Sequence, residues 1–145
     1  MKIKGLALAT LLLAMPALSM AAEKVVHLPF QTVVDQGVSS GQLDGTVKFH
    51  LAGSGPKGKV VNDNVTVSRK TNAFGKSDAT TCDHVLLTDL IYLQSEAKGV
   101  GANAVTDIVS NYNNVVVSDP TNYECHKGFL MSGVALKGKL VKTGH

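Results

Sequence analysis

The longest regular pattern of apolar residues lies between Thr81 and Lys98. Apolar side chains recur there at helical spacing and form one stripe, made of Cys82, Leu86, Leu90, Leu93 and Ala97, with Val85 and Ile91 widening it. Thr80 or Thr81 is suited to the N-cap, Asp83 to the first turn and Gly99 to the C-terminal end. The pattern predicts an amphipathic helix over this range.

Four other segments have the patterns of β-strands. Thr46–Leu51 and Val60–Arg69 alternate apolar and polar residues, and the glycine-rich segment between them predicts that the two strands form a hairpin. Ala102–Tyr112 is predicted as a longer strand. The segment Gly128–Val141 is expected to be a central strand because it is apolar on both faces, through Phe129, Leu130, Met131, Val134 and Leu136.

The remaining segments have weaker patterns. Lys24–Leu28 fits a short strand or an extended arm, and Gln31–Leu43 fits a loop or a short helix. Asp119–Asn122 is predicted to be the loop between the last two strands. After a variable N-terminal segment, the elements follow in the order β-β-α-β-β. The sequence therefore predicts an α+β fold, with one main helix packed on a largely antiparallel sheet.

Residues 1–21 have the composition of a bacterial signal peptide. Two lysines precede an apolar run over 6–18, and small residues follow the run. The run is shorter than the roughly 20 residues that cross a bilayer, so we expect no membrane span. We expect cleavage after Ala21 or after Ala22, export to the periplasm, and a single mature domain over 22–145.

The charge of the mature chain argues against two classes of partner. The sequence has 14 basic and 11 acidic residues, and removal of the two signal-peptide lysines leaves 12 basic residues and a net charge of +1. This balance gives no basis for a nucleic-acid or membrane-surface partner. With three Tyr, four Phe and no Trp, the chain also lacks the aromatic residues of a base-stacking surface.

Two cysteines, Cys82 and Cys125, remain in the exported chain. In an oxidising compartment an even pair predicts a disulfide, here between the first turn of the helix and the start of the last strand. The alternative is a metal site, because His84 and His126 lie close to the two cysteines and Cys₂His₂ is a zinc ligand set. Residues two apart on a helix point in different directions, which disfavours a site shared by Cys82 and His84.

The segment Gly53–Lys59 satisfies G-x-x-x-x-G-K, the first seven positions of a phosphate-binding P-loop. The eighth position is Val60 instead of the Ser or Thr that binds magnesium, and a strand instead of a helix is predicted to follow. A nucleotide-binding ATPase is therefore the disfavoured interpretation, and a glycine- and lysine-rich turn is the preferred one. We expect no cofactor.

Two further features are candidates for function. Asp107 lies inside an apolar strand, where it would be either a buried acid or base or, as we prefer, a residue of the polar face. Amide and aromatic side chains cluster after this strand and suggest an exposed recognition loop, made of Asn111, Tyr112, Asn113, Asn114 and Tyr123.

Three motifs carry a resemblance to known families: the helix exit A-K-G-V-G-A-N-A-V over 97–105, Tyr123–His126, and Gly133–Gly138. Together they resemble small exported proteobacterial proteins labelled excinuclease ATPase subunit, over about residues 47–140. The helix and its exit, about residues 86–108, are also similar to YbjQ-type and RcsF-type domains. That resemblance implies a small α+β sandwich and a role in envelope-stress signalling, although this chain has no lipid-attachment cysteine.

These observations favour a non-enzymatic periplasmic binding or interaction protein, with a role in envelope stress or homeostasis. A metal-binding module and the disfavoured ATPase are the alternatives. The expected partner is an envelope protein or a small ligand, and the sequence is compatible with a homo-oligomer.

Overall fold

The computed structural model describes residues 23–144, so the predicted signal peptide and its cleavage site lie outside the described residues. The elements are β1 (Lys24–Pro29), α1 (Phe30–Ser39), β2 (Lys48–Leu51), β3 (Lys59–Asn72), α2 (Asp78–Gly99), β4 (Ala104–Ser110), β5 (Asn122–Lys127) and β6 (Met131–Lys142). A short 3-10 turn, Tyr112–Asn114, lies between β4 and β5. The predicted α+β class is confirmed, with two helices where one main helix was predicted.

The six strands form one mixed, mostly antiparallel sheet in the order β1-β5-β6-β4-β2, and β3 pairs with the other edge of β6. The central position predicted for the last strand is confirmed. The predicted hairpin is wrong, because the first of its strands, β2, pairs with β4 in parallel and the second, β3, pairs with β6. A parallel pair needs a long crossover, and β3 and α2 together provide it between β2 and β4.

The main helix begins earlier than the apolar pattern indicates. Ser77 is the N-cap, and its Oγ accepts a hydrogen bond of 3.2 Å from the backbone N–H of Thr80. The first turn therefore contains Asp78 instead of Asp83, and Thr80 lies inside the helix. Ser77, and not Thr80 or Thr81 as predicted, is the N-cap because its short side chain accepts a hydrogen bond from a free N–H at the helix start. The predicted end at Gly99 is confirmed.

Two corrections concern the chain between β4 and β6. The segment Asn122–Lys127 is a separate strand, β5. It was predicted as the end of a loop and the start of the last strand. The last strand begins at Met131, and Phe129 and Leu130 lie in the preceding turn with 70% and 59% of their surface exposed. The turn is tight, since the Gly128 N–H donates to the Met131 carbonyl at 2.8 Å. It places both apolar side chains outside the sheet.

The core lies between α2 and one face of the sheet. The helix contributes Val85, Leu86, Leu90, Leu93 and Ala97, and the sheet contributes Val65, Val67, Val105, Ile108, Val134, Leu136 and Leu140. Helix α1 packs against α2. The other face of the sheet is covered by a loop and not by a helix. Tyr112 of this loop packs closely on β6, since a Cβ built on Gly133 would lie 3.3 Å from the Tyr112 ring. Between residues 23 and 144, neither helix has the length and hydropathy of a membrane-spanning segment.

Candidate functional site

The predicted disulfide between Cys82 and Cys125 is present, with the two Cα atoms 5.9 Å apart. Cys82 lies just after the first turn of α2, and Cys125 lies within β5. The bridge therefore joins the helix to β5, and not to the last strand as predicted. Both cysteines are fully buried. A disulfide of this kind is typical of an oxidising compartment.

The structure does not bring together the two histidines of the metal alternative. His84 lies on α2, which packs on the face of the sheet that Cys125 points to. His126 follows Cys125 in β5, so its side chain points to the opposite face. Within residues 23–144, no group of three or more His, Cys, Asp or Glu side chains is arranged to hold a metal ion.

His126 instead belongs to a polar cluster on the loop-covered face. Its ring nitrogens lie 2.9 Å from carboxylate oxygens of Glu23 and Glu124, and its ring stacks on Tyr112 with centroids 3.6 Å apart. Burial alone would raise the pKa of Glu124, but hydrogen bonds with His126 and the Ser110 hydroxyl, together with the charges of His126 and His27, outweigh burial and lower the pKa. These hydrogen bonds hold the His126 ring, and the stack on that ring fixes Tyr112 and with it the start of the 3-10 turn.

The P-loop-like segment leads directly into β3, which begins at Lys59, as the preferred interpretation predicts. Gly55 is required in this turn for two reasons: its φ is 95°, and a Cβ there would lie 2.6 Å from the His50 ring. Asp107 lies nearby on the polar side of β4, where its carboxylate is half exposed and lies 3.3 Å from the Lys139 ammonium. Asp107 is thus an ion-paired surface residue.

Tyr123 does not belong to the predicted recognition loop. It lies in β5 with 2% of its surface exposed, and its hydroxyl donates a 2.5 Å hydrogen bond to Asp83 on α2. Burial and the Asp83 carboxylate raise the pKa of Tyr123 far above its ordinary value. Tyr123 points to the core because it has the same alternation phase as Cys125. Its role is to join helix and sheet.

The Tyr123→Phe variant is expected to lower the free energy of unfolding by about 1.5 kcal/mol, since it removes a hydrogen bond to a charged acceptor while keeping the ring. Urea unfolding at neutral pH measures the change. Tyr92→Phe is the matched control, because no described residue is hydrogen-bonded to the Tyr92 hydroxyl, and its effect should stay within about 0.5 kcal/mol. Equal effects of the two variants would contradict the structural role of the Tyr123 hydroxyl.

The other predicted recognition residues do lie together, beside a cleft. We name this cleft, with a volume of about 480 Å³, the Asn cleft; it is lined by Thr66, Val67, Ser68, Arg69, Tyr92, Asn111, Asn113, Asn114 and Ala135. Tyr112 anchors the loop on His126 and is not part of the lining. The structure thus brings the three asparagines to one wall and four consecutive residues of β3 to another.

The asparagine wall has a strained backbone. Asn113 and Asn114 have φ values of 54° and 63°, in the left-handed region that costs most non-glycine residues roughly 1 kcal/mol or more. The Asn111 N–H donates to the Ala135 carbonyl at 3.0 Å and holds the segment on β6. The strained conformation directs the chain over the cleft, and asparagine tolerates it better than most residues.

Arg69 supplies the charge of the Asn cleft. It is the single arginine of the chain, and its guanidinium lies 5.0 Å from the centre of the Tyr92 ring. In the part of the chain that the structure describes, Arg69 forms no salt bridge. No sequence motif marks Arg69, Tyr92, Thr66 or Ser68 as site residues. The alternation of β3 does place Thr66 and Ser68 on a polar face, but nothing local indicates that the asparagines meet them.

A buried carboxyl group lies close to this charge. Asp89 on α2 is fully buried, and neither of its carboxyl oxygens is hydrogen-bonded to a described residue. Burial raises the pKa of Asp89 to about 8, although the nearby Arg69 opposes the shift. At pH 7 Asp89 is therefore mainly neutral and does not compensate the positive charge of Arg69.

We compared the chain with protein-family models, with curated proteins and with solved structures, and none of the three comparisons found a match.

Proposed function

We propose that this chain is an exported, non-enzymatic binding protein of the bacterial periplasm, which holds a partner protein of the envelope at the Asn cleft. The observation that carries the proposal is the convergence on one cleft of three asparagines and of an arginine that forms no salt bridge within residues 23–144. Amide groups both donate and accept hydrogen bonds, and a guanidinium recognises carboxylates. Such a role fits the envelope-stress or homeostasis function that the resemblance implies.

The chemistry of the lining favours binding over catalysis. Arg69 and Tyr92 are the titratable side chains among the lining residues. Arginine and tyrosine are both enriched at the centres of recognition surfaces, whereas histidine and carboxylates are the more usual general acids and bases. The lining offers polar recognition and one fixed positive charge.

Two observations support the periplasm as the compartment. The Cys82–Cys125 bridge requires oxidising conditions to form and persist. Residues 1–21 have the composition of a signal peptide. The proposal can therefore be tested in the envelope of bacterial cells that express the full chain.

A photo-crosslinking residue placed at Thr66 tests the proposal. Thr66 is exposed, lines the Asn cleft and lies in an ordinary strand, so a bulky side chain should be accommodated. We expect illumination of cells to give a discrete covalent adduct with an envelope protein. Arg69→Gln in the same chain should reduce the adduct by about tenfold, the effect of losing one charged hydrogen bond.

The same crosslinker at Val100 is the matched control. Val100 is also half exposed, but it follows the end of α2 and does not line the cleft. Adducts of equal yield at both positions would show nonspecific capture and overturn the proposal. The absence of an adduct at Thr66 would overturn it as well.

A further inference from the structure

The outer edge of β3 is a free sheet edge within the described residues. Strand β3 pairs with β6 on one side, in continuous register from Val65 opposite Gly138 to Asn72 opposite Met131. No other described strand pairs with β3. The edge therefore presents backbone N–H and C=O groups that the sheet does not use.

Along β3, alternate residues direct their backbone N–H and C=O groups to β6 and to the free edge. The Ala73 N–H donates to the Leu130 carbonyl at 2.8 Å, so the odd-numbered residues of this segment direct their backbone groups to β6. The even-numbered residues Thr66, Ser68 and Lys70 direct theirs to the free edge. Asn72 has the same phase, and its carbonyl accepts a hydrogen bond of 3.2 Å from the Thr81 hydroxyl, which closes this end of the edge.

This free edge lies inside the Asn cleft. The cleft is lined by four consecutive residues, 66–69, whose side chains alternate between the two faces of the sheet. Tyr92 on α2 lies on the helix-covered face, where Arg69 contacts its ring. The loop that carries Asn113 and Asn114 lies on the other face, where Tyr112 approaches Gly133. The cleft must therefore run around the edge, with a wall on each side of the exposed backbone.

Neither a bulge nor a proline interrupts the edge along this segment. Strand β3 has irregular register between Val60 and Val65, but from Val65 to Asn72 it has neither a register shift nor a proline. The other two edge strands are protected differently, since β1 ends in Pro29 and β2 has four residues. Bulges, prolines and short length are ordinary means of preventing strand addition. Here they are absent where the cleft lies.

The charged side chains on β3 from Thr66 to Lys70, and opposite them on β6, are positive. Arg69 is the charged residue of the lining, and Lys70 and Lys137 flank it, since Lys137 lies opposite Thr66 on β6. Among the residues that the structure describes, neither Asp nor Glu lines the cleft. A second copy of β3 would bring further Arg and Lys side chains to this edge, and like charges across a strand pair are destabilising. A strand that complements this edge in charge would therefore be acidic.

We propose that an extended, acidic polypeptide segment adds to β3 as a further strand along Thr66–Lys70. Its backbone pairs with the free N–H and C=O groups of Thr66, Ser68 and Lys70, a carboxylate binds Arg69, and its flanks contact the asparagine wall and Tyr92. This mode of recognition draws affinity from main-chain hydrogen bonds and specificity from side-chain pockets. The inference rests on the proposed function and specifies the form of its ligand.

The test uses a fluorescent ten-residue peptide of alternating glutamate and valine, with the disulfide-intact domain, in an anisotropy titration. We expect binding that weakens by at least about tenfold in Ser68→Pro, because proline removes an outward N–H and its ring obstructs the edge while the β6 ladder is kept. Ser68→Ala is the matched control, which keeps the N–H and should change affinity by less than about threefold. Two peptide controls should also bind at least about tenfold more weakly: lysine in place of glutamate, and methylation of every peptide nitrogen.

The peptide controls keep the test decisive if Ser68→Pro fails to fold, since they alter only the ligand. Equal affinity for the methylated and unmethylated peptides would overturn strand addition, as would equal affinity for the lysine and glutamate peptides. Failure of the glutamate peptide to bind would do so too. A concentration-dependent dimer that Ser68→Pro abolishes would assign the edge to a second copy instead. If the Thr66 adduct in cells persists in Ser68→Pro, the proposed function survives and strand addition does not.

Discussion

Removing the disulfide by the double substitution Cys82→Ala and Cys125→Ala is expected to lower the free energy of unfolding by about 4 kcal/mol. The bridge closes a loop of 43 residues, and a cross-link over such a loop restricts the unfolded chain by about that free energy. Both sulfur atoms are buried between α2 and β5, so the loss of packing adds to the effect. Urea unfolding of the purified variant measures the change.

Reduction of the unsubstituted protein provides an independent comparison. It opens the same loop without removing the sulfur atoms, so the difference between reduced protein and double variant isolates the packing contribution. We expect the reduced protein to lose most of the 4 kcal/mol or so attributed to the cross-link. A loss below about 1 kcal/mol in both samples would contradict the bridge as a main source of stability.

Replacement of Asp89 by asparagine is expected to raise the free energy of unfolding by about 3 kcal/mol at pH 7. In the folded protein burial raises the pKa of Asp89 to about 8, whereas an exposed aspartate in the unfolded chain has a pKa near 3.8. The folded state therefore retains a proton that the unfolded state has lost. The resulting cost is about 1.4 kcal/mol for each pH unit above the unfolded pKa, and partial relaxation of the site reduces the total.

The increase in the free energy of unfolding that we expect from Asp89→Asn depends on pH. Below about pH 4 both states of the protein are protonated at Asp89, so Asp89→Asn should have a small effect there. The stability of the parent should fall as pH rises from about 4 to about 8, and the advantage of the variant should grow over the same range. Urea unfolding at pH 4, pH 6 and pH 7.5, roughly spanning this window, measures both curves.

Glu96→Gln is the matched control for Asp89→Asn. Glu96 is exposed on the same helix, so its replacement should change stability by less than about 0.5 kcal/mol at each pH. A difference between Asp89→Asn and the parent that stays constant from pH 4 to pH 8 would show that Asp89 does not titrate with a raised pKa. The difference in stability between Asp89→Asn and the parent would then have a cause other than the titration of Asp89.

The sequence predicted local elements better than their partners. The apolar stripe of α2 is a property of consecutive residues, and the alternation of β2 and β3 is equally local, so these elements were found. The hairpin prediction failed because strand pairing depends on which edges meet in the fold, and β2 joins β4 across a crossover. Strand β5 was missed because its polar residues His126 and Lys127 obscure the alternation of Tyr123 and Cys125.

Part of the lining of the Asn cleft stands out in the sequence. Asn111, Asn113 and Asn114 are adjacent in sequence, and their composition was sufficient to suggest an exposed loop. The opposite wall comes from β3 and α2, and no local signal connects Arg69 or Tyr92 with residues more than 15 positions away. Tyr123 was assigned to the loop by composition, whereas the alternation of a strand buries it beside Asp83.

The sequence by itself determined the α+β class, the main helix, the cysteine pair and the turn character of the P-loop-like segment, because each depends on residue type and short spacing. Within residues 23–144, the tertiary structure decided which edge of β3 stays free, where the asparagines lie and that Asp89 is buried without a hydrogen-bond partner. The physical reason is that burial and strand pairing depend on contacts between distant segments, while periodicity shows only which face of an element a residue occupies.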